Sequence, residues 1–272
     1  MRKKLYVTGA LGVLAIAVAI PATAMSTVTS QTITSTVTPT KLSKSKKTPT
    51  PASIAVAVDA GWSSFGPPPN PTPAPVETDV DFDSDMIFNT KPVKTCAPSA
   101  LSGTTTEQAK AACSASVVGG GTARLNGIIG NLTGVVTAFN GTPVGGKSVI
   151  LLHARVSNPP LTQVLVGTLD KSPLGKPYGS RLSVPIPAAQ LGGGLEVITH
   201  FDTTVNKKFK ITKKVKGKKT KVKSGYVTAT CADKKLQTQG TFKFGTAPAF
   251  SPSSTIVAQA ADQACKQVKP KK

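Results

Sequence analysis

The sequence predicts an all-β protein: an antiparallel β-sandwich, immunoglobulin-like or related, with one short disulfide-pinned helix. Three observations carry that expectation. Apolar and polar residues alternate with a period of two through most of residues 52–265, punctuated by Gly, Pro and Asn. A single stretch, Thr105–Cys113, has a helical composition. Four cysteines, Cys96, Cys113, Cys231 and Cys265, stand in a chain whose start reads as an export signal.

That start has three parts. Arg2, Lys3 and Lys4 precede the apolar run Leu5–Ile20, and Ala22-Thr23-Ala24 fits a small-residue cleavage site. The run is short for a membrane span and ends at Pro21, and no later segment is apolar enough to cross a bilayer. Residues 1–24 are therefore expected to be removed, leaving a secreted, extracellular chain, free or held at the cell wall, with no transmembrane segment. The formal charge is +21, from 33 basic and 12 acidic residues; losing three basic residues with the signal leaves 30 against 12, or +18. Such a chain is attracted to polyanions, which outside a cell include wall polymers, acidic polysaccharides, anionic lipid and released DNA.

Residues 25–51 are rich in Thr, Ser, Pro and Lys and are expected as a flexible linker, with Thr32–Val37 able to add an edge strand. Ser53–Ala60 is the first strand of the domain, and the Pro-rich segment 61–76 is a loop of polyproline character. In Glu77–Phe88, Glu77, Asp79, Asp81, Asp83 and Asp85 share one parity, and Val80, Phe82, Met86 and Phe88 the other. A strand sends these two sets to opposite faces, so one wet acidic face and one buried face are expected. The D-x-D-x-D spacing resembles a calcium loop. In an extended strand, however, alternate carboxylates lie about 7 Å apart and cannot share one ion well. No metal or other cofactor is expected.

Thr104 or Thr105 caps the helix. Val117–Gly121 reads as a Gly-rich turn and Thr122–Ile129 as a strand. The most apolar, β-branched part follows: Leu132–Phe139, Ser148–Val156 and Gln163–Leu169, separated by turns at Asn140-Gly141 and Asn158-Pro159-Pro160. Alternation continues around Leu182–Ile186, Leu195–Phe201, Val227–Cys231 and Leu236–Phe244, with a turn at Gly192-Gly193-Gly194. Three disulfide connectivities are open; locality favours Cys96–Cys113 with Cys231–Cys265. No CxxC spacing exists.

Several short motifs are similar to those of a group of exported all-β actinobacterial proteins that remain uncharacterised. They include Asp81-Phe82-Asp83, Phe88-Asn89-Thr90-Lys91, Thr95-Cys96, Thr105-Glu107-Gln108-Ala109 and Ala112-Cys113. Val118–Gly121, Thr137–Gly141, Leu151–Ala154 and Tyr226–Cys231 belong to the same set. The resemblance spans roughly Val80–Cys265. It implies export and an all-β fold, and it brings no activity, because the motifs are structural punctuation.

Three constellations bear on chemistry. Gly141–Ser148 matches G-x-x-x-x-G-K-[ST], yet Val149-Ile150-Leu151-Leu152 after it reads as a strand, where a phosphate loop needs a helix. A hairpin is expected. The only histidines are His153, mid-strand and expected as a half-buried, satisfied side chain, and His200, which shares parity with Asp202. No nucleophile motif accompanies either, so no catalytic residue is assigned; an exported hydrolase built around His200 and Asp202 is the alternative function. Lys207–Lys223 holds ten lysines and no acid. Lys208, Lys210, Lys214 and Lys216 share one parity, Gly217 marks a tip, and Lys219, Lys221 and Lys223 alternate on the return. The predicted hairpin carries a lysine face for an anionic cell-wall polymer or other extracellular polyanion. That face lacks aromatics to stack on bases, which argues against specific nucleic-acid recognition. The bland counterpart is an edge kept soluble by lysine in a purely structural surface module.

Overall fold

The computed structural model describes residues 27–63, 72–127, 130–187, 189–191, 194–215, 218–246 and 249–268. The signal segment 1–24, residues 64–71 of the expected 61–76 loop, Gly192-Gly193, the hairpin tip at Lys216-Gly217 and residues 269–272 lie outside it; the described ends of that loop belong instead to the strands over 50–62 and 74–83.

The first third of the chain forms β1 (Val28–Thr38), β2 (Lys41–Ser43), β3 (Thr50–Trp62), β4 (Ala74–Asp83), β5 (Met86–Phe88) and helix α1 (Thr106–Ala112). The middle forms β6 (Val117–Gly127), β7 (Gly130–Val144), β8 (Lys147–Val156), β9 (Leu161–Lys171), β10 (Tyr178–Pro185), β11 (Ala189–Leu191) and β12 (Gly194–Val205). Then come β13 (Lys208–Val215), β14 (Lys218–Gly225), β15 (Val227–Ala229), β16 (Lys235–Leu236) and β17 (Thr238–Gly245). The last strands are β18 (Ser254–Gln259), β19 (Gln263–Ala264) and β20 (Lys266–Val268). Among the described residues, no helix is long and apolar enough to cross a membrane.

The fold is antiparallel β with one α-helix, as expected. Its main sheet runs β18-β17-β4-β10-β9-β8-β7-β6-β12-β3-β15-β5. Only Ser84 and Asp85 separate β4 from β5, and β15 pairs with both β5 and β3. The ladder therefore returns on itself, and two faces of one curled sheet enclose the core in a sandwich-like arrangement. The order β6-β7-β8-β9-β10 is a meander of consecutive hairpins. It supports the sandwich class without supporting the Greek-key connections of an immunoglobulin domain.

Inside the curl lie Ile54, Val80, Phe82, Ile150, Leu152 and Phe242. A second, smaller core lies on the outer face of β7 and β8, where Leu101 and Ala109 pack on Phe139, Val149 and Leu151. Helix α1 is the lid of this second core. Thr105 caps it, accepting from the Gln108 backbone N–H while the Gln108 side chain accepts from the Thr105 N–H. Burial on both faces explains why Val149–Leu152 is continuously apolar rather than alternating. Both disulfides are as expected, Cys96–Cys113 under the helix and Cys231–Cys265 near the C-terminus.

Three expectations about the fold are corrected. Residues 25–51 are not a linker through the described part: β1 lies along the whole of β3, from Val28 opposite Trp62 to Thr38 opposite Ser53. Ile33 and Val37 bury themselves, and Gln263 clamps Val37 by donating to its carbonyl and accepting from its N–H. The folded unit thus begins before residue 52 and extends past 265: residues 266–272 read from the sequence as a basic tail, yet β20 pairs in parallel with β2. Asn140-Gly141 is not the turn before β8. The turn is Gly145-Gly146, both with positive φ (56° and 77°), between the facing pair Val144 and Lys147. Asn140 is instead buried in β7, donating to the carbonyls of Thr90, Val93 and Lys94 and accepting from Tyr226 Oη. Val117–Gly121 is strand, not turn. Its glycines let β12 approach: a Cβ on Gly119 would sit 1.9 Å from the Thr204 carbonyl oxygen, and one on Gly121 2.1 Å from that of Asp202.

Candidate functional site

The fourth correction concerns charge. The acidic face of β4 is not wet: Asp79, Asp81, Asp83 and Asp85 are all buried, Asp81 completely. Each carboxylate meets donors from elsewhere in the chain. Arg181 on β10 faces Asp81 in register and grips it with Nε and Nη2 at 2.9 and 2.7 Å, while its Nη1 reaches Asp79 at 3.1 Å. Ser172 Oγ donates to Asp81 at 2.7 Å. Asp83 accepts from the backbone N–H groups of Asp85 and Gln237. Asp85 accepts from Thr230 Oγ1 and from the N–H of Ala232, beside the Cys231 disulfide. The row ties β4 to β10, β17 and residues 230–232. Burial lifts the Asp83 carboxyl from 3.8 to about 6, since its two backbone bonds only partly offset the loss of solvent. The opposite parity, Val80, Phe82 and Met86, is buried as expected.

The lysine hairpin forms as predicted, and as a two-stranded sheet of its own. Lys210 stands opposite Lys223, Lys214 opposite Lys219, Thr212 opposite Lys221, and Lys208 opposite Gly225. Directly facing residues in an antiparallel pair project to the same side, so the register gathers positions 208, 210, 214, 219, 221 and 223 on one face, with positions 213 and 218 on the other. The described side chains Lys208, Lys210, Lys219, Lys221 and Lys223 are exposed. Lys216 lies outside the described residues. On the other face, Phe209, Ile211 and Val222 are partly buried and Phe209 packs against the main core. That contact turns the lysine face outward. The root is pinned by Lys207, whose Nζ donates to the carbonyls of Ala115 and Val117 at 2.8 and 2.9 Å. Burial lowers the Lys207 pKa, which separates this structural lysine from the exposed ones. Among the described residues no ion pair involves the exposed hairpin lysines. Along each strand alternate positions recur about every 7 Å, and facing positions lie about 5 Å apart.

His200 sits between two carboxylates, Nδ1 at 2.7 Å from Asp59 and Nε2 at 3.2 Å from Asp202. Thr122 Oγ1 also donates to Asp202. The parity reading of His200 with Asp202 is thus correct, but Asp59, 141 residues away in sequence, takes the other ring nitrogen. An imidazole held on both sides orients three strands and has no free nitrogen to offer a nucleophile.

His153 departs from its expected half-buried, satisfied state. It is fully buried; its Nε2 meets the hydroxyl and carbonyl of Thr104, and its Nδ1 has no hydrogen-bond partner among the described residues. Burial lowers its pKa, so the neutral ring is favoured. The Gly141–Ser148 motif is the β7–β8 hairpin, and Lys147 Nζ pairs with Asp170 at 2.7 Å.

Sequence reasoning missed Arg181 and Asn140. Arg181 had a signal: it is one of four arginines in a lysine-rich chain, in a strand that can face the acidic one. Comparison with protein-family models, curated proteins and solved structures finds no match.

Proposed function

We propose that this is an exported, non-enzymatic protein that associates with the cell envelope by laying the lysine face of β13 and β14 against an anionic polymer. The observation that carries the reading is the register of the hairpin, which places Lys210 opposite Lys223 and Lys214 opposite Lys219 with no carboxylate between them. Facing ammonium groups repel by somewhat under about 1 kcal/mol per pair in water, and a polyanion along the face relieves that repulsion. The net charge, the N-terminal signal pattern and two disulfides support an extracellular setting. Lysine is a mobile point charge without a planar fork, so selectivity among anionic polymers is expected to be low.

The test is retention on wall material washed in rising salt. Binding driven by counterion release falls linearly in log affinity with log salt. Replacing Lys208, Lys210, Lys214, Lys216, Lys219, Lys221 and Lys223 with Gln should release the protein at low salt. A variant with the lysines of 41–47 and 266–272 replaced by Gln, which keeps β2 and β20 in place, should stay bound. The reverse pattern would make the hairpin a solvated edge and assign binding to the flanks. N-terminal sequencing of the exported chain checks the companion expectation that it begins at Met25.

A further inference from the structure

We infer that one end of the sheet interior is a binding cavity for a small, uncharged, apolar molecule. The interior is not evenly filled. On β3, Ala52 and Ile54 are fully buried, but Val56 and Val58, the next inward-facing residues, are only partly so. Their neighbours on β12 repeat the change at the same levels. Val205, opposite Ile54, is buried, whereas Thr203 opposite Val56 and Phe201 opposite Val58 are partly accessible. On β10, Val184 is buried and Leu182 is not. A close-packed core leaves no such gradient. The space behind it is a cavity of about 110 Å³, encircled by β3, β4, β8, β9, β10, β12 and β17.

The lining chooses the ligand class. Val56, Val58, Phe82, Leu152, Leu182 and Phe201 present hydrocarbon. The one ionisable side chain at the wall among the described residues, His200, already has both ring nitrogens held by Asp59 and Asp202. A charged ligand would lose its hydration, and the unpartnered Thr203 Oγ1 at the wall could return only a single hydrogen bond. Apolar cavities of about 150 Å³ stay dry and admit benzene, so this slightly smaller space suits one aromatic ring or a short branched alkyl group. This inference is independent of the lysine face, which lies on a separate two-stranded sheet.

Thermal unfolding of the full, disulfide-intact protein with toluene tests it. Toluene at about ten times its dissociation constant should raise Tm by about 2–4 °C in a saturable way, and glycerol at the same millimolar concentration should not. Val56→Phe, and from another wall Leu182→Phe, should fill the cavity and abolish the shift. In the parent, toluene should move the methyl NMR signals of Val56, Val58 and Leu182. An unchanged or lowered Tm overturns the inference. So does a full toluene shift in a folded, filled variant, or methyl changes confined to other residues; the last readout decides the matter if neither variant folds.

Discussion

Two segments of this chain, β4 with its acidic residues and the hairpin β13–β14 with its lysines, follow one sequence rule and meet opposite fates. Each alternates charged with apolar residues. In β4 and the Asp85 that follows it the aspartates are buried and held by Arg181, Ser172, Thr230 and backbone N–H groups, with only Asp79 Oδ1 left without a partner among the described residues. In the hairpin the charged parity is exposed and, among the described residues, unpaired. The difference lies in neighbours. β4 sits inside the main sheet between β10 and β17, so side chains such as Arg181 flank its carboxylates from the neighbouring strand; β13 and β14 pair only with each other. Alternation reports two distinct faces, and sheet position decides whether the polar one sees water. A buried charge then needs partners, while an exposed unpaired one is available to a ligand.

The largest effect should come from breaking the acidic row. Arg181→Met leaves Asp79 and Asp81 buried without their cation, and loss of one partner of such a pair costs about 3–5 kcal/mol. Urea unfolding should show it, with the midpoint moved and the slope unchanged. Cys231→Ser, with Cys265→Ser, opens a loop of 34 residues and should cost about 4 kcal/mol on the chain-entropy model; the 17-residue Cys96–Cys113 loop should cost about 3.

Asp83 gives a pH signature. Its folded pKa lies above its unfolded value, so the folded state holds the proton more tightly. Its contribution is complete below about pH 4 and is lost as pH rises through about 6, on the order of 3 kcal/mol in total. Asp83→Asn should therefore flatten the stability profile between pH 4 and 6, measured by unfolding at fixed temperature. A variant with the parent's profile would show that another group titrates there.

The smallest effects belong to the hairpin. Exposed Lys→Gln changes should alter stability by less than about 0.5 kcal/mol each while weakening polymer retention. Lys223→Glu, facing Lys210, should stabilise by about 0.2–1 kcal/mol through an opposite-charge pair and still reduce retention. Opposite signs for stability and binding from one substitution would separate the two roles sharply.

Much of the fold was legible because its signals are local. Turn residues, period-two alternation and the Thr105–Gln108 cap act within a few residues, and so did the boundaries of β8, β9 and α1. The lysine hairpin was legible for the same reason: two strands joined by a short tip fix their own register. The errors were non-local. Residues 25–51 read as linker because their Thr, Ser and Lys content resembles disorder, yet the chain between Thr38 and Thr50 turns β1 back against β3. Asn140 read as a turn residue because only its neighbours were visible, whereas its partners are Thr90–Lys94 and Tyr226. His200 showed its Asp202 contact, two residues away, and hid Asp59.

The sequence by itself determined most of the strands, the helix and its cap, the locality of the disulfides and the lysine face, because each depends on backbone propensity and side-chain period. Only the tertiary structure decided which charges are buried, where the sheet closes through β15, and how much of its interior is left unfilled. Those outcomes depend on which strands become neighbours, and strand pairing across a hundred residues is set by packing of the whole sheet rather than by any one segment.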